Sequence, residues 1–176
     1  MDKLLEYFFE EPEKEFYVRE LARVVKKSPT TISKYLNNLK KENLLVSKRK
    51  FNHLLFKANT ESKKFIDLKI MENLKKIRES GLLEYLNNEF NNPQAIILFG
   101  SFAKGENIQK SDVDMLVITP SKKELNLEGY NKYLGHKIHL FLFSEKEINQ
   151  MKDKNKELIN NFINGIVLDG YWELLK

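Results

Sequence analysis

Two aspartates and a Gly-Ser pair lie close together in the segment ILFGSFAKGENIQKSDVDMLV, residues 97–117. Asp112 and Asp114 are separated by one residue, so on a strand both side chains point to the same face. The apolar run before Gly100 and Ser101 predicts that a strand ends and a helix begins there, and helix starts bind phosphate. Lys104, one turn later, can add positive charge to the same phosphates. The segment therefore indicates phosphate chemistry beside a pair of carboxylates.

Two neighbouring carboxylates repel each other unless a cation lies between them. The sequence contains no cysteine and only three histidines, so any metal ligands would be mainly oxygen. Oxygen ligands favour Mg²⁺ or Mn²⁺, whose coordination shell triphosphate and water would complete. A phosphate site beside such a pair is the minimum apparatus for phosphoryl-group transfer. We therefore expect a site for a triphosphate with its metal.

Strand patterns surround these residues in the segment that follows NNP at residues 91–93. Short helices are expected after Gly100 and from Ser144 onward. A mixture of strands and helices of this kind predicts an α+β domain with a mixed sheet. The predicted strands are QAIILF (94–99), DVDMLVI (112–118), KIHLFLF (137–143) and GIVLD (165–169).

The order of these motifs resembles the nucleotidyltransferase superfamily that includes DNA polymerase beta, and most closely its minimal members. Those proteins carry Gly-Ser, a basic residue followed by Gly, and Ser-Asp-x-Asp on a strand. The resemblance implies that Ser101 and its neighbouring amides hold the triphosphate tail while Asp112 and Asp114 hold the metal. It covers about residues 90–172, and the matching positions are Gly100, Ser101, Lys104, Gly105, Ser111, Asp112 and Asp114.

The family's third carboxylate lies on a neighbouring strand, where it completes the metal site and helps to deprotonate the attacking hydroxyl. In KIHLFLF the corresponding position is His139, and no acid lies on that strand. Histidine can act as a base at neutral pH but is a poor ligand for Mg²⁺. The candidate catalytic residues are therefore Asp112, Asp114 and His139.

Two hypotheses stay open at this stage. In the first, the domain binds Mg²⁺ with a nucleoside triphosphate and transfers a nucleotidyl group to an acceptor hydroxyl on a protein or nucleic acid. In the second, the chain is a non-enzymatic transcriptional regulator whose degenerate transferase domain senses nucleotide or mediates a homodimer. An antitoxin-like chain that modifies a partner protein is a third possibility, although it explains the N-terminal region less well.

The positive charge of the chain is concentrated in its first third. The net charge is +5; residues 1–60 hold 13 Lys or Arg against 8 Asp or Glu, whereas residues 61–176 hold 17 of each. Residues 26–57 carry nine basic side chains and a single acid, Glu42. A segment with this imbalance suits a polyanion, because each neutralised phosphate releases counterions. A solvated lysine-rich face is the alternative if charge alone is considered.

Helical periodicity in this first third predicts three helices followed by a hairpin. Ser28 is a good N-cap and Pro29 suits the first helical position, so the third helix should begin there. The strands LLVSKRKF (44–51) and LLFKA (54–58) are separated by Asn52-His53, which suggests the turn. The polar face of the third helix is formed by Thr30, Thr31, Ser33, Lys34, Asn37 and Lys41, and the hairpin tip carries Lys48, Arg49 and Lys50.

This order resembles that of winged-helix transcriptional regulators, and the core of the resemblance is SPTTISKYLNNLKKENLL. It implies that the polar helix face and the basic hairpin contact double-stranded DNA. We expect a winged-helix domain at 1–60, a helical linker at 61–90 and a nucleotidyltransferase-like domain at 91–176. No apolar run reaches the length of a membrane span, so we expect a cytoplasmic protein without a membrane partner.

Overall fold

The first of two compact units combines three helices with a small sheet. The computed structural model describes residues 3–152 and 154–173, and the units divide between Lys69 and Ile70. The strands of the first unit form an antiparallel sheet in the order β1-β3-β2. Its elements are α1 (Lys3–Glu10), β1 (Phe16–Tyr17), α2 (Val18–Val24), α3 (Pro29–Lys41), β2 (Leu45–Lys50) and β3 (His53–Ala58).

The predicted start of α3 is confirmed in atomic detail. Ser28 is the N-cap, and its Oγ accepts a hydrogen bond from the backbone N–H of Thr31 at 3.1 Å. Pro29 occupies the first helical position, where its missing N–H costs nothing. Ile32, Leu36 and Leu39 are buried in the apolar cluster of this unit, so the remaining face of α3 is left for solvent or a ligand.

The hairpin turn lies one residue earlier than the sequence pattern suggests. Lys50 pairs with His53, so the two residues of the turn are Phe51 and Asn52, and the predicted turn at Asn52-His53 is wrong by one position. Both turn residues have a left-handed backbone, with φ of 46° and 60°. Such values are typical of a type I′ turn, which matches the twist of the flanking strands. Asparagine adopts this backbone readily but phenylalanine does not, which is why the pattern misplaced the turn.

The helix α4 (Lys63–Glu79) contains the division between the units. The second unit contains a four-stranded sheet in the order β6-β5-β4-β7, in which β5 and β6 are parallel and the other neighbouring pairs are antiparallel. The α+β class with a mixed sheet is therefore confirmed. The elements after α4 are α5 (Leu82–Glu89), β4 (Ala95–Phe99), α6 (Gly100–Lys104), β5 (Val113–Ile118), α7 (Glu128–Leu134), β6 (Ile138–Phe143), α8 (Glu145–Met151), α9 (Lys156–Ile163) and β7 (Ile166–Gly170).

Helices cover both faces of this sheet. One face packs against apolar side chains of α5, α6 and α7, and the other against α8 and α9. Because side chains alternate along a strand, Val113, Met115 and Val117 face the first layer, whereas Leu116 and Ile118 face the second. Asp114 shares the face of Leu116, at the end of the strand where the apolar cluster stops. Among the described residues, no helix is both long and apolar enough to cross a bilayer.

Candidate functional site

The two aspartates and His139 converge at one end of the second sheet. In the parallel pairing of β5 with β6, Asp114 lies directly beside His139. The Nδ1 atom of His139 is 3.7 Å from Asp112 Oδ2 and 3.7 Å from Asp114 Oδ1. These distances are too long for hydrogen bonds but bring the ring nitrogen close to both carboxylates. The side chain of His139 therefore points to the carboxylates and not into the apolar core.

The environment of Asp114 disfavours its negative charge. Burial raises the pKa of this carboxyl above its ordinary value; His139 opposes the rise, and the neighbouring charge of Asp112 adds to it. The side chain is 28% exposed, against 41% for Asp112. A cation bound between the two carboxylates would remove their mutual repulsion and stabilise both charges.

Gly100 brings the backbone against Asp114. It joins β4 to α6 with a φ of 70°, a left-handed conformation that favours glycine. A Cβ atom at this position would lie 2.7 Å from Asp114 Oδ2. The strand pairing places Phe99 beside Asp114 as well, so the turn into α6 borders the acidic end of β5. The absence of a side chain at Gly100 is thus what leaves room for the carboxylate.

The other predicted phosphate-binding residues lie on α6 and the loop that follows it. Ser101 is half-buried in the first turn of α6, and Lys104 is exposed at its last position. Ser111 Oγ accepts a hydrogen bond from the backbone N–H of Ile108 at 2.9 Å. The carbonyl oxygen of Ser111 accepts another from Nδ1 of the buried His136 at 2.8 Å. Ser111 therefore fixes the loop that leads into β5.

The donor set at this site fits a hard cation only in part. Asp112 and Asp114 offer carboxylate oxygens, which suit Mg²⁺, whereas the imidazole of His139 does not. Within residues 3–152 and 154–173, no group of three or more His, Asp or Glu side chains is arranged to hold a metal ion. A metal here would depend on two protein carboxylates, with its remaining ligands supplied by phosphate or water.

A second candidate site lies in the first unit, where α2, α3 and the hairpin border one cavity. Its volume is about 870 Å³. Four of the predicted residues on α3 line it, namely Thr30, Ser33, Lys34 and Asn37. Thr31 does not; its Oγ1 lies 2.7 Å from Ser28 Oγ in the helix cap. The cavity thus joins the polar face of α3 to the base of the hairpin turn.

Internal contacts already occupy some of the predicted DNA-binding groups. Asn37 Nδ2 donates to the carbonyl oxygen of Ser33 at 2.8 Å, within α3. The ammonium of Lys48 forms an ion pair with Glu15, and this contact lowers the pKa of the Glu15 carboxyl. Arg49 and Lys50 are exposed near the tip of the hairpin. A phosphate that binds Lys48 would have to compete with Glu15.

Sequence reasoning missed several polar residues that line the same cavity. Arg19 and Arg23 are exposed on α2, and His53 begins β3 with its ring 5.8 Å from that of Tyr17. The two arginines are four residues apart, so they share one face of α2. That spacing is visible in the sequence and would have identified the two arginines as a basic pair on one helix face. His53 was assigned to the turn, so its place on the strand could not be seen.

Comparisons with known proteins find a separate family match within each of the two units. Residues 79–167, slightly more than half of the chain, match the sequence profile of the nucleotidyltransferase domain. Residues 3–47 match the profile described as bacterial regulatory protein, ArsR family, a helix-turn-helix DNA-binding domain. No curated protein matches the sequence at a significant level.

One solved structure shows weak similarity. It is a protein from Sulfolobus solfataricus that was provisionally assigned as a nucleotidyltransferase. The sequence identity is 20%, the alignment covers 66% of this chain and 95% of the other, and the TM-score is 0.35. A score this low does not by itself establish a common fold. The profile match and the residues assembled around Gly100 and Asp114 carry the assignment: the chain belongs to the nucleotidyltransferase domain family and has a helix-turn-helix DNA-binding domain at its N-terminus.

Proposed function

We propose that the second unit binds a nucleoside triphosphate together with Mg²⁺ and transfers its nucleotidyl group to an acceptor hydroxyl, with cleavage of the α–β phosphoanhydride bond and release of pyrophosphate, while the first unit binds double-stranded DNA. The observation that supports this best is the convergence of Asp112, Asp114 and His139 beside the turn at Gly100. An acidic strand end with only a structural role would not require a ring nitrogen 3.7 Å from both carboxylates.

Asp112 and Asp114 are the residues that would hold the metal. Mg²⁺, or Mn²⁺ in its place, would neutralise phosphate charge and stabilise the attacking and leaving oxygens when bound. The raised pKa of Asp114 favours this role, because a carboxylate whose charge is disfavoured in the protein alone gains most from a cation. The backbone at Gly100 and Ser101, with Lys104, would hold the triphosphate tail.

In this proposal His139 moves the proton of the acceptor hydroxyl. Its Nδ1 faces the two carboxylates, so Nε2 is the ring nitrogen left on the side away from them. The side chain is 40% exposed, which leaves the ring accessible to an acceptor. We propose that Nε2 accepts the hydroxyl proton, a task that a carboxylate performs in related proteins.

A second candidate function rests on the same residue. Since β6 carries no acid, a metal would have one negative ligand fewer than in relatives with three carboxylates, and nucleotide transfer would be slow or absent. The second unit would then bind a triphosphate without turning it over and would act as a nucleotide sensor for the DNA-binding unit.

The two candidates make different predictions for position 139. The purified chain should be incubated with radiolabelled triphosphates, Mg²⁺ or Mn²⁺ and a lysate of its own cells, and compared with the His139→Asp and His139→Ala variants. Labelled product that both substitutions abolish would show that the histidine itself acts as base or ligand. Product formed only by His139→Asp would favour the sensor for the natural chain.

Binding must be measured beside activity. Calorimetry with Mg²⁺ and then with EDTA should show metal-dependent triphosphate binding that Asp114→Asn removes. Glu157→Gln, at an exposed acid on α9, is the matched control and should bind as the natural chain does. Binding that is the same with and without metal would contradict a metal site at Asp112 and Asp114, and the transferase candidate with it.

A further inference from the structure

Phe51 is exposed to a degree that packing cannot explain. The residue is 86% exposed, the highest value among the exposed large hydrophobic residues of the described part of the chain. It lies at the tip of the hairpin between β2 and β3, in the turn formed with Asn52. An exposed aromatic side chain in a turn contributes little to the core, so the ring is available to a partner.

The backbone at Phe51 is also unfavourable for this residue type. Its φ of 46° is left-handed, a conformation in which a bulky side chain is a true outlier, whereas Asn52 at 60° is ordinary. Strain of this kind persists where a site needs a particular side chain in a particular direction. A two-residue turn between paired strands is short and rigid, so it holds the ring outward.

The surroundings of the ring are cationic. Lys48, Arg49 and Lys50 precede it on β2 and are exposed, and the ammonium of Lys50 is 6.0 Å from the centre of the Phe51 ring. An apolar tip within a basic cluster suits a partner with a negative surface and an apolar interior close beneath it. Duplex DNA has this construction, with phosphates outside and stacked bases within reach of the grooves.

The position of the turn favours DNA over other anionic partners. Asn52 of the turn and His53 beside it line the same cavity as Thr30 and Lys34 of α3. The tip is therefore continuous with the polar face of the helix-turn-helix domain. The family match for that domain ends at residue 47, so it covers neither the turn nor Phe51.

We propose that Phe51 is a wedge, which enters the minor groove next to the site of α3 and partly unstacks one base step. The proposal rests on DNA binding by the first unit, which is part of the proposed function. Apolar wedges of this type bend the duplex away from the inserted side chain, and pyrimidine–purine steps yield most easily. The basic residues beside the ring would hold the phosphates that flank the opened step.

The test uses the full chain and duplexes of about 30 base pairs that contain T-A steps, with 2-aminopurine in place of one adenine at a time and dyes at both ends. The natural chain should raise 2-aminopurine fluorescence at one step and shorten the distance between the dyes. Phe51→Asn keeps all three basic residues and suits the left-handed backbone, so the hairpin should remain. It should lose both signals and bind about tenfold more weakly, with the same dependence on salt concentration.

Phe51→Leu is the matched control, because leucine keeps an apolar wedge; it should retain most of the bend. If Phe51→Asn bends and unstacks DNA as the natural chain does, the proposal that Phe51 is a wedge is wrong, although DNA binding by the first unit stands. If the natural chain shows no salt-dependent duplex binding, the DNA-binding function fails and the wedge with it. Loss of binding to vesicles of anionic phospholipid in Phe51→Asn, with DNA binding unchanged, would assign the tip to a membrane surface instead.

Discussion

Replacement of Gly100 by alanine should separate the stability of the second unit from its chemistry. Alanine at a left-handed φ costs about 1–2 kcal/mol of backbone strain. The new Cβ would also lie 2.7 Å from Asp114 Oδ2, whereas ordinary contacts of this kind begin at 3.4 Å. The oxygen must therefore move by the difference, 0.7 Å. Because it is the end of a side chain, this movement costs little free energy, but it displaces a proposed metal ligand.

Gly135→Ala provides a matched control. Gly135 has a φ of 73°, and a Cβ there would meet nothing within 4 Å. Both variants should therefore lose a similar free energy of unfolding, about 1–2 kcal/mol. Trp172, the only tryptophan in the sequence, packs against the cluster formed by β4, β5, α8 and α9. Its fluorescence during urea denaturation can measure the loss in the second unit.

Only Gly100→Ala should impair the site. Substitutions that disturb the groups around a metal ligand commonly reduce metal affinity by about 10–100-fold. We expect calorimetry to show a loss of that size in the Mg²⁺-dependent binding of triphosphate. Gly135→Ala should bind as the natural chain does. The reasoning is refuted if Gly100→Ala retains full metal-dependent affinity, because Asp114 would then not be a ligand.

Four further changes test other parts of the structure. Lys48→Glu together with Arg49→Glu should lower the slope of log Kd for duplex DNA against log salt by about 1–2; an unchanged slope would remove the hairpin from the interface. Glu15→Gln should strengthen duplex binding, since it frees Lys48 from its ion pair, and fluorescence anisotropy would measure the change. In EDTA, Asp114→Asn should raise the melting temperature at neutral pH. The folded-state pKa of Asp114 is raised, so the carboxyl contributes to the stability of the fold in acid, and this contribution is lost as the pH rises through the folded-state pKa. A gain in melting temperature that is equal at acidic and neutral pH would contradict this explanation. Ser28→Ala removes the side-chain cap of α3 and should cost the first unit about 1 kcal/mol in denaturation experiments; no loss would mean that solvent satisfies the Thr31 N–H equally well.

Local patterns were sufficient to predict most elements of both units. Ser28-Pro29 specified the start of α3, and the largely apolar strand patterns specified β5 and β6 to within one residue. The short strand Phe16–Tyr17 was not predicted, because two residues carry no period and the strand exists only through its pairing with β3. The hairpin turn was predicted one residue too late, because Phe51 adopts a left-handed backbone that phenylalanine normally disfavours.

The candidate site was predictable only where its members are close in sequence. Asp112 and Asp114 could be assigned to one face from their spacing alone. The placement of His139 beside them depends on the register of β5 and β6, which no local pattern contains, and its assignment came from the resemblance to a family. That it faces the carboxylates is visible only in the structure. The roles of these residues remain predictions.

The place of β6 at the edge of the sheet has a consequence for how such chains can diverge. His139 lies at the beginning of this strand and is 40% exposed, so a different side chain there would disturb little packing and cost little stability. Selection can therefore change this residue without a compensating change in the core. Under the role proposed for His139, an exchange of imidazole for carboxylate at this position would change turnover while the architecture is inherited unchanged.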